Sequence, residues 1–244
     1  MRALAIVHQR DAGPGVFAEA AAARGVELQQ WFIAETDAPP ADPFAYDAVI
    51  TLGGAMHPDQ DELAGWMRPE KELLAELLHR EVPLLGSCLG SQLLGDAAGS
   101  PARRASRPEI GWYEIDLTAE GRADPVLGSL PAAFTGFQWH SYETPLPPGA
   151  VALARSPVCL QAYRAGERAW GIQFHAEVSA ADAGAWIDDY EADPEAVAMR
   201  IDPAKLRAET TPRMEAWNAL GRELCASFFD EVAARPGAVA ARSA

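Results

Sequence analysis

Along residues 1–100, short apolar runs alternate with stretches of helical periodicity, and this alternation constrains the fold more tightly than any other feature of the chain. The runs are "ALAIVH" (3–8), "VELQQWFI" (26–33), "YDAVITLGG" (46–54) and "VPLLGSC" (82–88). Several are apolar without alternation, as strands buried on both faces require. Between them, "PGVFAEAAAAR" opens at Pro14 and stops at Gly25, and "RPEKELLAELLHR" (68–80) carries apolar residues at helical spacing. The stretch "LGSQLLGDAAG" (89–99) follows the fourth run. Strands alternating with helices predict an α/β fold: an open, three-layer, mainly parallel sheet with helices on both faces.

After residue 108 the rhythm changes. "IGWYEIDL", "FTGFQWH", "AVALARS", "VCLQAYR" and "RAWGIQFH" are short strands with turn signals between them, including "AGE" at 165–167. Added antiparallel strands are expected in this second half. From Pro203 a helical segment runs to Arg235 with Trp217, Leu220, Leu224, Phe228 and Val232 on one face, and Thr210-Thr211-Pro212 is expected to split it. No linker interrupts the chain, so residues 1–235 read as a single domain and 236–244 as a disordered tail.

Charge narrows the choice of partner. Thirty-five acidic against 20 basic residues give a net charge of −15, which disfavours a nucleic-acid backbone and leaves a small molecule or another protein. The one basic cluster, Arg103, Arg104 and Arg107, reads as a solvated loop. The 3 cysteines, Cys88, Cys159 and Cys225, form no C-x-x-C pair, so neither a disulfide framework nor a structural zinc site is expected. No run of about 18 apolar residues marks a membrane span, and a cytoplasmic protein with reduced thiols and no cofactor is the expectation.

The candidate chemistry begins at Gly86-Ser87-Cys88-Leu89-Gly90. Here a cysteine sits where a strand turns into a helix, so that its sulfur is exposed and the helix N-terminus favours thiolate. A thiol nucleophile needs a base and a group that orients it. Of the 5 histidines, His8 and His79 read as capping or surface residues, and His57 lies in an acidic loop with Asp59, Asp61 and Glu62 that reads as solvated rather than metal-binding. His140 ends a strand and could line a pocket. His175 and Glu177, two apart at a strand end, would point to one face, which completes a candidate Cys88–His175–Glu177 triad. Gly54, after the third strand, and Leu89 are the expected backbone donors to an oxyanion, with Gly53 shaping the loop.

In order and spacing, "GGAM", "GSCLGSQLL", "EIGW", "QWHSYE" and "GIQFHAE" resemble the class I glutamine amidotransferases, whose flavodoxin-like fold the resemblance also implies. The likeness spans roughly residues 1–190 and is nearest to stand-alone amidotransferase-like proteins of the GMP synthase type. It implies attack of Cys88 on the glutamine side-chain amide, a γ-glutamyl thioester and release of ammonia, with Gln92, Ser141 and Tyr142 at the substrate. Three positions depart from the family's habit: Ser91 where His or Ala is common, Ala55 where Pro is common, and His175-Ala176-Glu177 in place of His-Pro-Glu. The ammonia would serve a separate synthetase acting in trans. The competing expectations are a free-standing hydrolase of γ-glutamyl amides or peptides, and a non-catalytic binding module on the same fold; an α/β-hydrolase fits the order of the motifs less well.

Overall fold

The computed structural model describes residues 1–36 and 38–235. The fully apolar run at the N-terminus becomes β1 (Arg2–Val7), which pairs in parallel with β2 (Glu27–Phe32) on one side and β3 (Ala48–Thr51) on the other. Strand β3 pairs in parallel with β4 (Leu84–Ser87), and β4 in turn with β9 (Ala169–Ile172). Beyond β9 the sheet continues antiparallel through β8 (Leu160–Ala165), β7 (Val151–Arg155), β5 (Arg103–Leu117) and β6 (Ala133–Glu143). The result is one 9-stranded sheet of order β2-β1-β3-β4-β9-β8-β7-β5-β6. It has the expected parallel first half and antiparallel second half.

Both faces of the sheet are covered. Helices α1 (Gly15–Ala23) and α8 (Met214–Ala234) bury Val16, Phe17, Trp217, Leu224 and Phe228 against one face. On the other, α2 (Met67–His79) and α3 (Leu89–Ala97) bury Leu74, Leu77, Leu93 and Leu94. Short helices α4 (Ala119–Ala123), α5 (Ala180–Asp188), α6 (Pro194–Ala198) and α7 (Pro203–Thr210) complete the set. None is long and apolar enough to cross a membrane.

Two features differ from the sequence expectation. Arg103 and Arg104 are not in a loop: they open β5, pair with Glu143 and Tyr142 of β6, and Arg103 donates to Glu143 Oε1 at 2.9 Å. A register shift between Arg104 and Glu109 separates this outer ladder from the inner one. The third apolar run is shorter as a strand than as a sequence pattern, because Leu52-Gly53-Gly54 leave the sheet as a loop. The C-terminal helical segment does split, α7 ending at Thr210 and α8 starting at Met214 around Pro212. The tail expected at 236–244 lies outside the described residues.

Candidate active site

The turn from β4 into α3 holds Cys88 at φ 49° and ψ −110°, a conformation that costs a non-glycine residue free energy and persists only where its surroundings enforce it. The Cys88 N–H donates to Ile172 O of β9 at 2.8 Å. Gly90 packs so closely on β3 that a methyl group there would lie 2.2 Å from Thr51 O, and one at Gly86 would lie 2.8 Å from the Gly90 backbone. The two glycines are therefore what lets strand and helix cross this tightly; the sulfur is not exposed as the sequence suggested, because Cys88 is 5% exposed, covered by the surrounding chain.

Past the end of β9 the chain runs Gln173-Phe174-His175-Ala176-Glu177. His175 and Glu177 meet here because the chain leaves the sheet and turns, not through the two-residue repeat of a strand. His175 N–H donates to Phe137 O at 2.9 Å, and His175 O accepts from Trp217 Nε1 at 2.9 Å. Its Nδ1 stands 2.7 Å from Glu177 Oε1, while Ser87 Oγ donates to the other carboxylate oxygen at 2.7 Å. Trp186 lays its ring edge-on to the imidazole at 4.8 Å. Burial alone would push the His175 pKa down; the charges of Cys88 and Glu177 and their hydrogen bonds to the ring override it and hold the imidazole well above its ordinary value. Nδ1 facing a carboxylate leaves Nε2 as the atom free to exchange a proton with sulfur or substrate.

The loop after β3 passes directly over this pair: a methyl group at Gly53 would lie 2.9 Å from His175 Cε1 and 3.7 Å from Cys88 Cβ. Ala55 N–H is engaged by Gln9 Oε1 at 2.7 Å, and Gly90 N–H by Leu52 O at 2.9 Å. Gly54 and Leu89 are the chain neighbours of these two engaged groups. A cavity of about 70 Å³ brings together Gly54, Cys88, Leu89, Gln92, Ser141 and Tyr142. The residues expected at the substrate thus share one space with the thiol. Gln92 Nε2 donates to Tyr142 O and to Gln173 Oε1, both at 3.1 Å, which fixes its amide across the floor of that cavity. A second cavity of about 200 Å³ shares Gly54, His57 and Trp139 with the first and is also lined by His175, Gln9, Trp186 and Asp189.

Residues 16–188 match the family described as glutamine amidotransferase class-I. The chain belongs to the class-I glutamine amidotransferase family. It is 28% identical to the glutamine amidotransferase-like protein YfeJ of Salmonella typhimurium over 72% of this chain and 76% of that protein. With a glutamine-hydrolyzing GMP synthase subunit of Haloarcula marismortui it shares 33% identity over 59% of this chain and 71% of that protein. Among solved structures, a glutamine amidotransferase from Thermotoga maritima superposes with a TM-score of 0.83 at 28% identity, covering 93% of this chain and 97% of that one.

Of the remaining histidines of this amidotransferase-family chain, His8 is the one that departs from the expectation. His79 is exposed at the last turn of α2. His8 is not at the surface: it is 6% exposed and bonded to Glu70, a partner that the sequence separates from it by 62 residues. His57 stacks on Tyr142 at 4.7 Å, and the acidic loop around it is satisfied by Lys71, which bonds Asp61 at 3.0 Å, and by Tyr142 Oη, which donates to Asp59 at 2.8 Å. His140 lies within β6, lines the smaller cavity, and places Nδ1 2.9 Å from Tyr142 O and Nε2 3.2 Å from Glu109 Oε2.

Among the described residues, one group has donor atoms converging as a metal would require: Glu109, His140 and Cys159, all within 4.8 Å. Hydrogen bonds already organise it. Glu109 Oε2 accepts from Gln161 Nε2 at 2.8 Å and from Ser156 Oγ at 3.2 Å. Burial first, then the Glu109 charge, pushes the Cys159 thiol upward, so it keeps its proton and donates to the same oxygen at 3.6 Å. Sequence reasoning missed Ser87, Trp217 and the His8–Glu70 pair. The one signal available was Glu70 itself, a carboxylate on the stripe of α2 that also carries Met67, Leu74 and Leu77.

Proposed function

We propose that this chain is a cysteine-dependent glutamine amidohydrolase that passes its ammonia to a separate synthetase. The observation that carries this reading is the buried His175, bonded to Glu177 at 2.7 Å, beside a thiol held in a strained elbow. The Cys88 sulfur attacks the side-chain amide carbon of glutamine, and the carbonyl oxygen takes negative charge facing the N–H groups of Gly54 and Leu89. As the tetrahedral adduct collapses, the C–N bond breaks and His175 gives its proton to the leaving nitrogen, releasing ammonia and leaving a γ-glutamyl thioester. Water then attacks the thioester carbon, its proton passing to His175. Cleavage of the C–S bond returns the Cys88 thiolate beside the reprotonated His175 and frees glutamate. Glu177 keeps the imidazole oriented throughout, while Gln92, Ser141 and Tyr142 hold the amino-acid end of the substrate.

A second reading is favoured by the cavity of about 200 Å³ that His175 lines. Ammonia needs no such space, whereas the amine half of a γ-glutamyl amide would occupy it against the packed rings of Trp139 and Trp186. The same bonds would break and form, with an amine as the leaving group. One experiment separates the two: purified protein is incubated with glutamine and with a panel of γ-glutamyl alkylamides, and ammonia or amine is followed. Faster turnover of glutamine, rising when a synthetase partner is added, supports the first reading; preference for the alkylamides supports the second. Inertness toward every amide would overturn both and leave a binding module.

A further inference from the structure

The loop that carries Gly54 over the thiol is backed by a second buried histidine–glutamate pair, which the acyl-transfer chemistry does not use. His8 follows β1 directly and Glu70 lies on α2; their side chains are 1% and 0% exposed. His8 Nε2 stands 2.8 Å from Glu70 Oε2, and Nδ1 stands 3.1 Å from the carbonyl oxygen of Gly53. Thr51 Oγ1 donates to the other Glu70 oxygen at 2.6 Å, and Trp66 stacks on the imidazole at 4.7 Å. With a carboxylate at Nε2 and a carbonyl at Nδ1, both ring nitrogens face acceptors, an arrangement that an imidazolium satisfies with both N–H groups. Burial opposes that charge, but the Glu70 charge and the hydrogen bonds to Glu70 and Gly53 outweigh it and raise the His8 pKa.

What matters is the peptide to which the acceptor belongs. The carbonyl of Gly53 and the N–H of Gly54 are the two ends of one planar trans peptide and point in opposite directions. Holding that oxygen on His8 therefore turns the Gly54 N–H away from His8, and Gly54 lines the cavity shared with Cys88 and Leu89. Glycine on both sides leaves this peptide little steric resistance to rotation, so its orientation has to be fixed from outside the loop. The fit is close: a methyl group at Gly54 would lie 2.9 Å from His8 Cβ.

We propose that His8 and Glu70 are positioning residues for the oxyanion hole, locking the Gly53–Gly54 peptide so that its N–H meets the carbonyl oxygen of a substrate attacked by Cys88. This rests on the Cys88 reading above.

The test uses His8→Leu, which removes the donor, and His8→Asn, whose amide nitrogen sits close to the position of Nδ1 and restores it without the charge. With whichever amide the parent protein turns over, His8→Leu is expected to lower kcat about 100-fold while KM stays within about threefold, because the oxyanion contact forms fully only as the tetrahedral adduct forms. His8→Asn is expected to recover about tenfold of that loss. Alkylation of Cys88 by iodoacetamide forms no oxyanion, so its rate is expected to match the parent's in every variant. Glu70→Gln provides a second route should His8→Leu fail to fold: about a tenfold loss in kcat at an unchanged alkylation rate is expected. An active parent whose folded variants keep parental kcat would overturn the proposal and leave the Cys88 mechanism standing. Parallel loss of kcat and alkylation in His8→Leu, His8→Asn and Glu70→Gln would also overturn it, assigning the pair to structure alone. A parent inert toward every amide would overturn the Cys88 reading and this inference with it.

Discussion

Trp217 of α8 donates its indole N–H to the backbone carbonyl of His175 at 2.9 Å, in a region where Trp217 is 3% exposed. The C-terminal helix thereby grips the segment that bears the candidate base. Trp217→Phe keeps most of the packing but leaves a buried carbonyl without its donor, at a cost of about 1–3 kcal/mol. A lower thermal midpoint and roughly tenfold slower amide turnover are expected, since small displacements of a catalytic group are costly. Turnover equal to the parent's in a destabilised variant would show that other contacts hold His175.

Cys88→Ala is expected to abolish ammonia or amine release together with covalent trapping by thiol-directed glutamine analogues. Glu177→Gln should be milder, slowing turnover by about 100-fold, because it disturbs the orientation and proton affinity of His175 while leaving the nucleophile in place. Ser87→Ala, which removes the 2.7 Å bond to Glu177 Oε2, should fall between Glu177→Gln and the parent. Steady-state kinetics of the three variants give the ranking, and activity persisting in Cys88→Ala would refute the assignment of the nucleophile.

Gly90→Ala probes the crossing of β3 and α3. The added methyl would meet Thr51 O at 2.2 Å, and backbone on both sides leaves nowhere for it to go. Destabilisation of about 3 kcal/mol, at the upper end of ordinary overpacking, is expected in urea unfolding. An unchanged midpoint would mean that the elbow can open without cost.

His8 and His175 both bind their proton more tightly in the folded chain than at the ordinary value of 6.5. In each case burial works against the charge and anionic neighbours prevail: Glu70 for His8, Cys88 and Glu177 for His175. Above about pH 6.5 the unfolded chain has lost these protons while the folded chain keeps them, so their stabilisation is full below that pH and is lost as pH rises through the raised values. Thermal midpoints should therefore decline on the alkaline side, and less steeply in Glu70→Gln, where His8 has lost its anionic partner. Parallel profiles for the parent and Glu70→Gln would show that His8 is not charged.

The parallel half of the sheet was legible because strands buried on both faces read as unbroken apolar runs, and Cys88, His175 and Glu177 were legible because each sits in a short local pattern. What escaped the sequence depends on partners distant along the chain. A histidine after an apolar strand looks solvent-facing until Glu70, 62 residues on, is brought beside it. Trp217 reads as one more apolar face of a helix until its indole finds His175. Between Ala176 and Pro203 no regular hydrophobic repeat announces α5 and α6. These helices are 9 and 5 residues long and are started by local caps, Ser179 with Asp182 in one and Asp193 in the other. That same segment supplies Trp186, Asp189 and Asp193 to the cavity of about 200 Å³, so the least legible stretch also shapes space that His175 lines.

Strand β9 is inserted between β4 and β8, and Ser87 meets Glu177 across 90 residues of intervening chain. During synthesis Cys88 leaves the ribosome well before His175 and Glu177, and Trp217 follows later still. The growing polypeptide thus carries an ordinary cysteine. On the proposed function, the pairing that would activate its sulfur forms only once β9 slots in beside β4 and α8 folds down behind His175, so the nucleophile would stay unarmed until these late-made elements are in place.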